Sequence, residues 1–60
     1  MRAGERVLDI GCGPGFQTTE MAEVVGPNGW AHGVDISASV LDAARHRSTG
    51  QSYSAWIAFT

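Results

Sequence analysis

The chain contains no lysine, only one cysteine, and no apolar run approaching the ~20 residues of a membrane span. Its four arginines against six acidic residues give a net charge of -2, so no basic surface for nucleic acid is expected. A single cysteine cannot form an internal disulfide, and the N-terminus lacks the apolar core of a signal peptide. A cytoplasmic location is therefore expected. With 60 residues, 43% of them hydrophobic, the chain is predicted to form one small globular domain.

Two short apolar runs alternate with two segments of helical periodicity. The run at 6–10 is rich in β-branched residues and predicts a buried strand, and residues 30–36, WAHGVDI, predict a second one. Between them, residues 16–25 carry an apolar stripe at helical spacing that includes Thr18. A second helix is predicted from Ala38 to about His46, with Ser37 as its N-cap. This order predicts an α/β protein with a parallel sheet.

The C-terminal part is harder to assign. Residues 48–60 are predicted to be either a third strand or a truncated tail. One face of that strand would carry, at alternate positions, Tyr53, Ala55, Ile57 and Phe59. Two helices are too few to cover both faces of a parallel sheet, so the fold is expected to be incomplete and marginally stable by itself.

A glycine-rich loop follows the first predicted strand, in the segment LDIGCGPGF at residues 8–16. Gly11 allows the chain to leave the strand sharply, and Gly13 precedes a proline, which disfavours helical geometry at that position. Gly15 lies at the start of the helix, where a side chain is expected to crowd an approaching ligand. The loop therefore predicts a binding site for a polar ligand over a helix N-terminus.

Two acidic residues are predicted to lie near this loop. Ligands of parallel α/β sheets bind outside the carboxyl ends of the strands, and Asp9 and Asp35 are placed at those ends. Asp35 follows Gly15 by 20 positions, the offset at which an acid at the end of a second strand meets a ribose. A carboxylate accepts hydrogen bonds from two adjacent hydroxyls, so a ribose-bearing cofactor is predicted.

The spacing of the glycines distinguishes between cofactors. A dinucleotide site has the pattern G-x-G-x-x-G, with glycine or alanine at the third place, but that place is held here by Phe16 or Thr18. A phosphate-binding P-loop requires a lysine, which the chain lacks. A dinucleotide-binding fragment and a structural or interaction fragment without activity remain as alternatives.

The sequence VLDIGCGPG, followed by a helix and then GVDIS, resembles the S-adenosylmethionine-binding start of the class I methyltransferases. It is similar in particular to the small-molecule enzymes of ubiquinone and menaquinone biosynthesis. The resemblance covers residues 3–47 and implies a Rossmann-like βαβα unit, the first part of the class I methyltransferase fold. It implies that residues 1–47 bind S-adenosylmethionine for methyl transfer to a small-molecule acceptor. The isolated chain, without the family's later strands, is expected to lack turnover.

The resemblance also implies roles for individual residues. The glycines would let the backbone approach the methionine part of the cofactor, and Asp9 would orient that part near its amino group. Asp35 would bind the ribose hydroxyls, and Ile36 would pack on the adenine. The predicted cofactor-binding residues are Asp9, Gly11, Cys12, Gly13, Gly15, Asp35 and Ile36.

Other reactive side chains in the chain are predicted to be structural. Cys12 lies between glycines without a nearby base, which favours a small loop residue over a nucleophile. His32 and His46 do not have metal-ligand spacing with Cys12, so no metal site is predicted. No catalytic residue is predicted within the chain.

Overall fold

The computed structural model describes all 60 residues as a parallel sheet with helices on one face. The elements are β1 (Arg6–Ile10), α1 (Phe16–Val25), β2 (Trp30–Val34), α2 (Ala38–Ser48), a 3-10 helix (Ser52–Trp56) and β3 (Ile57–Phe59). Neither α-helix combines the length and the apolar character that a membrane crossing requires. The predicted bounds of β1 and α1 agree with the structure.

The second strand and the second helix differ slightly from their predicted bounds. β2 ends at Val34 rather than at residue 36, because the Asp35 carboxylate turns back to accept the backbone N–H of Ser37 at 3.0 Å. Ser37 caps α2 as predicted, accepting the N–H of Val40 at 3.4 Å. The helix then runs on to Ser48, whose hydroxyl donates to the Ala44 carbonyl.

The sheet has the order β1-β2-β3, with all strands parallel and β2 in the centre. Both crossovers therefore move across the sheet in the same direction. Because such crossovers are right-handed, α1 and α2 lie on the same face. That face, the two helices and the glycine-rich loop contribute the buried core, which comprises Cys12, Ala22, Ala31, Leu41, Ala44, Ile57 and Phe59.

The opposite face of the sheet has no helix against it. Leu8 and Ile10, which alternate with the core-facing residues of β1, are 60% and 77% exposed. Parallel sheets are normally covered on both sides, so this half-covered arrangement agrees with the prediction that two helices do not suffice.

The C-terminal segment forms the third of the strands but only over its last part. Ile57 and Phe59 are buried on the core face, as their alternation predicts, and β3 pairs with β2. The predicted alternation is wrong at Tyr53 and Ala55, because the chain there forms a 3-10 helix. The indole N–H of Trp56, at the end of that helix, donates to the carbonyl of Ala22 in α1 at 2.7 Å and anchors the segment.

Candidate functional site

The glycine-rich loop and the turn between β2 and α2 meet at the carboxyl edge of the sheet. The backbone N–H groups of Gly11 and Cys12 both donate to the Val34 carbonyl, at 2.7 and 3.0 Å. The loop is therefore joined to the end of β2 immediately after it leaves β1. The topology brings together the two segments that the sequence predicts to form the site.

Positive φ angles run through the loop at every second residue. Gly11 has φ 73° and Gly13 has φ 57°, and a Cβ at either position would meet nothing within 4 Å. The backbone conformation, rather than lack of space, therefore requires glycine at these two positions. Open space above the backbone is also what a ligand needs in order to approach it closely.

Gly15 is required for a different reason from the one expected. A Cβ there would lie 2.8 Å from Cε1 of Phe59 and 3.1 Å from Cβ of Ala44. Gly15 is buried, its N–H donates to the Cys12 carbonyl, and its own carbonyl accepts from Thr19. A side chain at Gly15 would thus displace the core packing of β3 and α2 rather than a ligand.

Asp35 connects the loop to the start of α2. Its Oδ2 accepts the N–H of Gly13 at 3.0 Å, and its Oδ1 accepts the N–H of Ser37 at 3.0 Å. These backbone donors hold the pKa of Asp35 below its ordinary value, and the N–H of Ser37 has a larger effect than that of Gly13. Asp35 is therefore a fixed carboxylate that stays ionised at neutral pH.

Asp9 is held by a residue of the following helix. The Thr18 hydroxyl donates to Oδ2 of Asp9 at 2.6 Å, and Thr18 itself is fully buried in α1. Thr18 belongs to the predicted buried stripe of α1, and a polar residue in such a stripe is a signal that a buried partner exists. The sequence prediction did not make that pairing.

Cys12 packs as a small core residue. Its Sγ would lie 2.9 Å from a Cβ placed on Gly33, so the glycine in β2 provides the space that the thiol occupies. Burial raises the pKa of Cys12, and the negative charges of Asp35 and Asp9 raise it further. The thiol is thus poorly suited to act as a nucleophile.

A hollow of about 250 Å³ opens beside Asp35. It is lined by Ile10, Gly11, Val34, Asp35 and Ile36. Ile36 is fully exposed although it is a large apolar residue, so its side chain offers an apolar surface to a flat ligand. Three of the predicted cofactor-binding residues thus border one cavity.

The N-terminus of α1 faces the same edge with free donors. Gly15 supplies no side-chain cap, and the N–H groups of Phe16, Gln17 and Thr18 have no acceptor within the protein. Such N–H groups favour a negatively charged ligand group.

Arg47 is a site neighbour that the sequence did not indicate. Its guanidinium donates to the carbonyl of Pro14, and its Cζ lies 3.8 Å from the centre of the Phe16 ring. The contact joins residues 33 positions apart, so no local pattern could have revealed it.

His32 is hydrogen-bonded outside the site. His32 Nε2 lies 2.7 Å from the Thr60 hydroxyl, and no group of three or more potential metal ligands comes together in the structure.

This chain is similar in sequence to known methyltransferases. A family model described as a methyltransferase domain matches residues 1–59. Aklanonic acid methyltransferase DauC of Streptomyces sp. (strain C5) is 50% identical over 46 residues, covering 77% of this chain and 21% of that protein. Demethylmenaquinone methyltransferase of Symbiobacterium thermophilum is 40% identical over 52 residues, covering 87% of this chain and 21% of that protein. The chain thus spans about a fifth of the length of these curated relatives.

Solved structures show the same similarity. A Clostridium thermocellum protein assigned as an rRNA methylase superposes with a TM-score of 0.91 at 27% identity, over 100% of this chain and 32% of that one. A protein-L-isoaspartate O-methyltransferase superposes with a TM-score of 0.82 at 29% identity, over 98% of this chain and 18% of that one. The expected Rossmann-like α/β fold is confirmed, and the chain belongs to the class I S-adenosylmethionine-dependent methyltransferase family.

Proposed function

We propose that this chain is the S-adenosylmethionine-binding part of a methyltransferase that acts on a small-molecule acceptor. The observation that carries the proposal is the Asp35 carboxylate, held beside a partly apolar hollow at the carboxyl edge of the sheet. Each of its oxygens accepts one backbone N–H and keeps a second lone pair. The two remaining lone pairs suit the two adjacent hydroxyls of a ribose.

The surroundings of Asp35 match the other parts of this cofactor. Ile36 and the hollow next to it provide an apolar surface for the adenine. The free N–H groups at the start of α1 suit the methionine carboxylate, and Asp9 suits its amino group. The open backbone at Gly11 and Gly13 leaves space for this end of the ligand.

The proposed cofactor-binding unit comprises residues 1–47. Within it, Cys12 and Gly15 support the loop by packing, because both are buried against neighbouring strands and helices. Residues 48–60 support the same loop through Phe59, whose ring lies against Gly15.

The charge of the site favours this cofactor over a dinucleotide. The carboxylates of Asp9 and Asp35 lie close enough to Cys12 for their negative charges to raise its pKa. Two such carboxylates favour the sulfonium and ammonium groups of this cofactor over a pyrophosphate. In addition, Phe16 projects from the start of α1, 63% exposed, where a dinucleotide site needs glycine or alanine.

The reaction requires little acid–base chemistry from the protein. When bound, the cofactor supplies a methyl group already activated by the sulfonium. The contribution of this chain is to hold the donor in a fixed position, the kind of effect that is worth up to about 7–11 kcal/mol when both reactants are aligned.

The proposal of a small-molecule methyl acceptor rests on the names of the relatives and on the net charge of this chain. The names of two relatives specify aklanonic acid and demethylmenaquinone, which are small molecules, whereas one structural neighbour is assigned to rRNA. A net charge of -2 without any lysine favours a small-molecule acceptor over a nucleic acid.

A buried, unpaired cysteine also fits the cytoplasmic location expected from the sequence.

Calorimetric titration of the chain with S-adenosylmethionine, S-adenosylhomocysteine and NAD tests the proposal. We expect binding of the first two and none of NAD. Asp35→Asn should raise Kd about tenfold or more, because it weakens charge-assisted hydrogen bonds to the ribose. Asp42→Asn is the matched control, since Asp42 is exposed and paired only with Arg45.

Preference for NAD would replace the proposal by a dinucleotide site. Absence of binding for all three compounds by a folded chain would leave only a structural role.

A further inference from the structure

Arg47 contacts the end of the glycine-rich loop that leads into α1. It lies in the last turn of α2, and its guanidinium reaches the two residues that flank Gly15, namely the carbonyl of Pro14 and the ring of Phe16. The packing of the Phe16 ring against a cation accounts for an aromatic residue that remains 63% exposed.

These contacts restrain Pro14, which makes no other hydrogen bond in the structure. Pro14 has no backbone N–H, so its carbonyl is the only backbone group through which that residue can be held by a hydrogen bond. Asp35 holds the N–H of Gly13, the residue just before it. Two adjacent residues of the loop are thus held by residues near the two ends of α2.

The glycine backbone makes such restraints important. Gly11, Gly13 and Gly15 all have positive φ, and glycine has more conformational freedom to lose than any other residue. A loop that populates its binding conformation only part of the time lowers the apparent affinity for its ligand by that fraction.

We propose that Arg47 is a positioning residue that keeps the loop in its binding conformation through Pro14 and Phe16. The proposal rests on the proposed function for its effect on affinity, but the effect on the loop itself is independent of any ligand. A guanidinium is better suited to this than an ammonium group, because it is planar, stacks on a ring and still donates hydrogen bonds at its edge.

The test compares Arg47→Gln, Arg47→Lys and Phe16→Leu with the unchanged chain. Calorimetry gives Kd for S-adenosylhomocysteine, and NMR hydrogen exchange gives the protection of the Gly13 and Gly15 amides. We expect Arg47→Gln and Phe16→Leu each to raise Kd about fivefold and to speed exchange of those amides. Arg47→Lys should restore part of the affinity and part of the amide protection. The double variant Arg47→Gln with Phe16→Leu should have a Kd no higher than that of the weaker-binding single variant.

Arg45→Gln is the matched control. Arg45 lies in the same helix and loses the same charge, but it bonds Asp42 and the Phe59 carbonyl instead of the loop. Its Kd should stay within about twofold of the unchanged chain. A rise equal to that of Arg47→Gln would mean that charge or helix stability, not the loop, explains the effect, and would overturn the proposal.

Two further results would overturn it. The first is unchanged loop exchange in Arg47→Gln and Arg47→Lys. The second is a raised Kd in Arg47→Gln together with an unchanged Kd in Phe16→Leu, which would indicate direct contact between Arg47 and the ligand. If the unchanged chain binds no cofactor, the proposed function fails, and the exchange measurement still decides whether Arg47 positions the loop.

Discussion

The backbone N–H of Gly13 donates to Oδ2 of Asp35 at 3.0 Å, across 22 positions of sequence. The same carboxylate accepts the N–H of Ser37, so one side chain joins the glycine-rich loop to the start of α2. The acid that is proposed to bind the ribose thus also shapes the loop that is proposed to bind the methionine. Under the proposed function, we therefore expect ligand binding at Asp35 to be coupled to the conformation of the loop.

This relationship predicts a pH dependence of stability. The N–H donors of Ser37 and Gly13 hold the pKa of Asp35 below its ordinary value of 3.8. Because the folded pKa is the lower one, the stabilisation is fully present above 3.8 and is lost as the pH falls through the folded value. In urea unfolding at decreasing pH, the free energy of unfolding should fall less for Asp35→Asn than for the unchanged chain. Parallel profiles for the two proteins would contradict the coupling.

The two reasons for glycine in this chain can be separated by substitution. Gly15→Ala should destabilise the fold by about 3 kcal/mol, because a left-handed backbone and a clash with Phe59 both oppose a Cβ. Gly50 has nearly the same φ, 83° against 85°, but a Cβ there meets nothing within 4 Å. Gly50→Ala should therefore cost only about 1 kcal/mol. Urea unfolding measures the free energy of unfolding of both variants. An equal decrease in the two would show that the packing against Phe59 contributes nothing.

The thiol of Cys12 should react slowly in the folded chain. Burial and the nearby carboxylates raise the pKa of Cys12, and the side chain packs against Gly33. Labelling with a thiol reagent near neutral pH should be much slower than for the same chain in urea, and S-adenosylmethionine should slow it further by stabilising the folded state. Labelling at the rate of the unfolded chain would exclude the buried position of Cys12.

Much of the fold follows from local patterns. The apolar runs and the helical stripe predict the order of the first four elements, because side-chain periodicity is a property of neighbouring residues. The position of Asp9 and Asp35 at one edge also follows, since parallel strands joined by helices end on the same side of the sheet. The short 3-10 helix was not predicted, because its anchor is the contact between Trp56 and Ala22.

By itself, the sequence determined that a glycine-rich loop and two acids meet at the end of a parallel sheet, and the spacing of the glycines pointed to the family. Only the tertiary structure decided what each residue contacts. It placed Phe59 against Gly15, Thr18 on Asp9 and Arg47 on Pro14. These contacts depend on how the helices and β3 pack on the sheet, and packing is set by the shapes of distant side chains rather than by the pattern of adjacent ones.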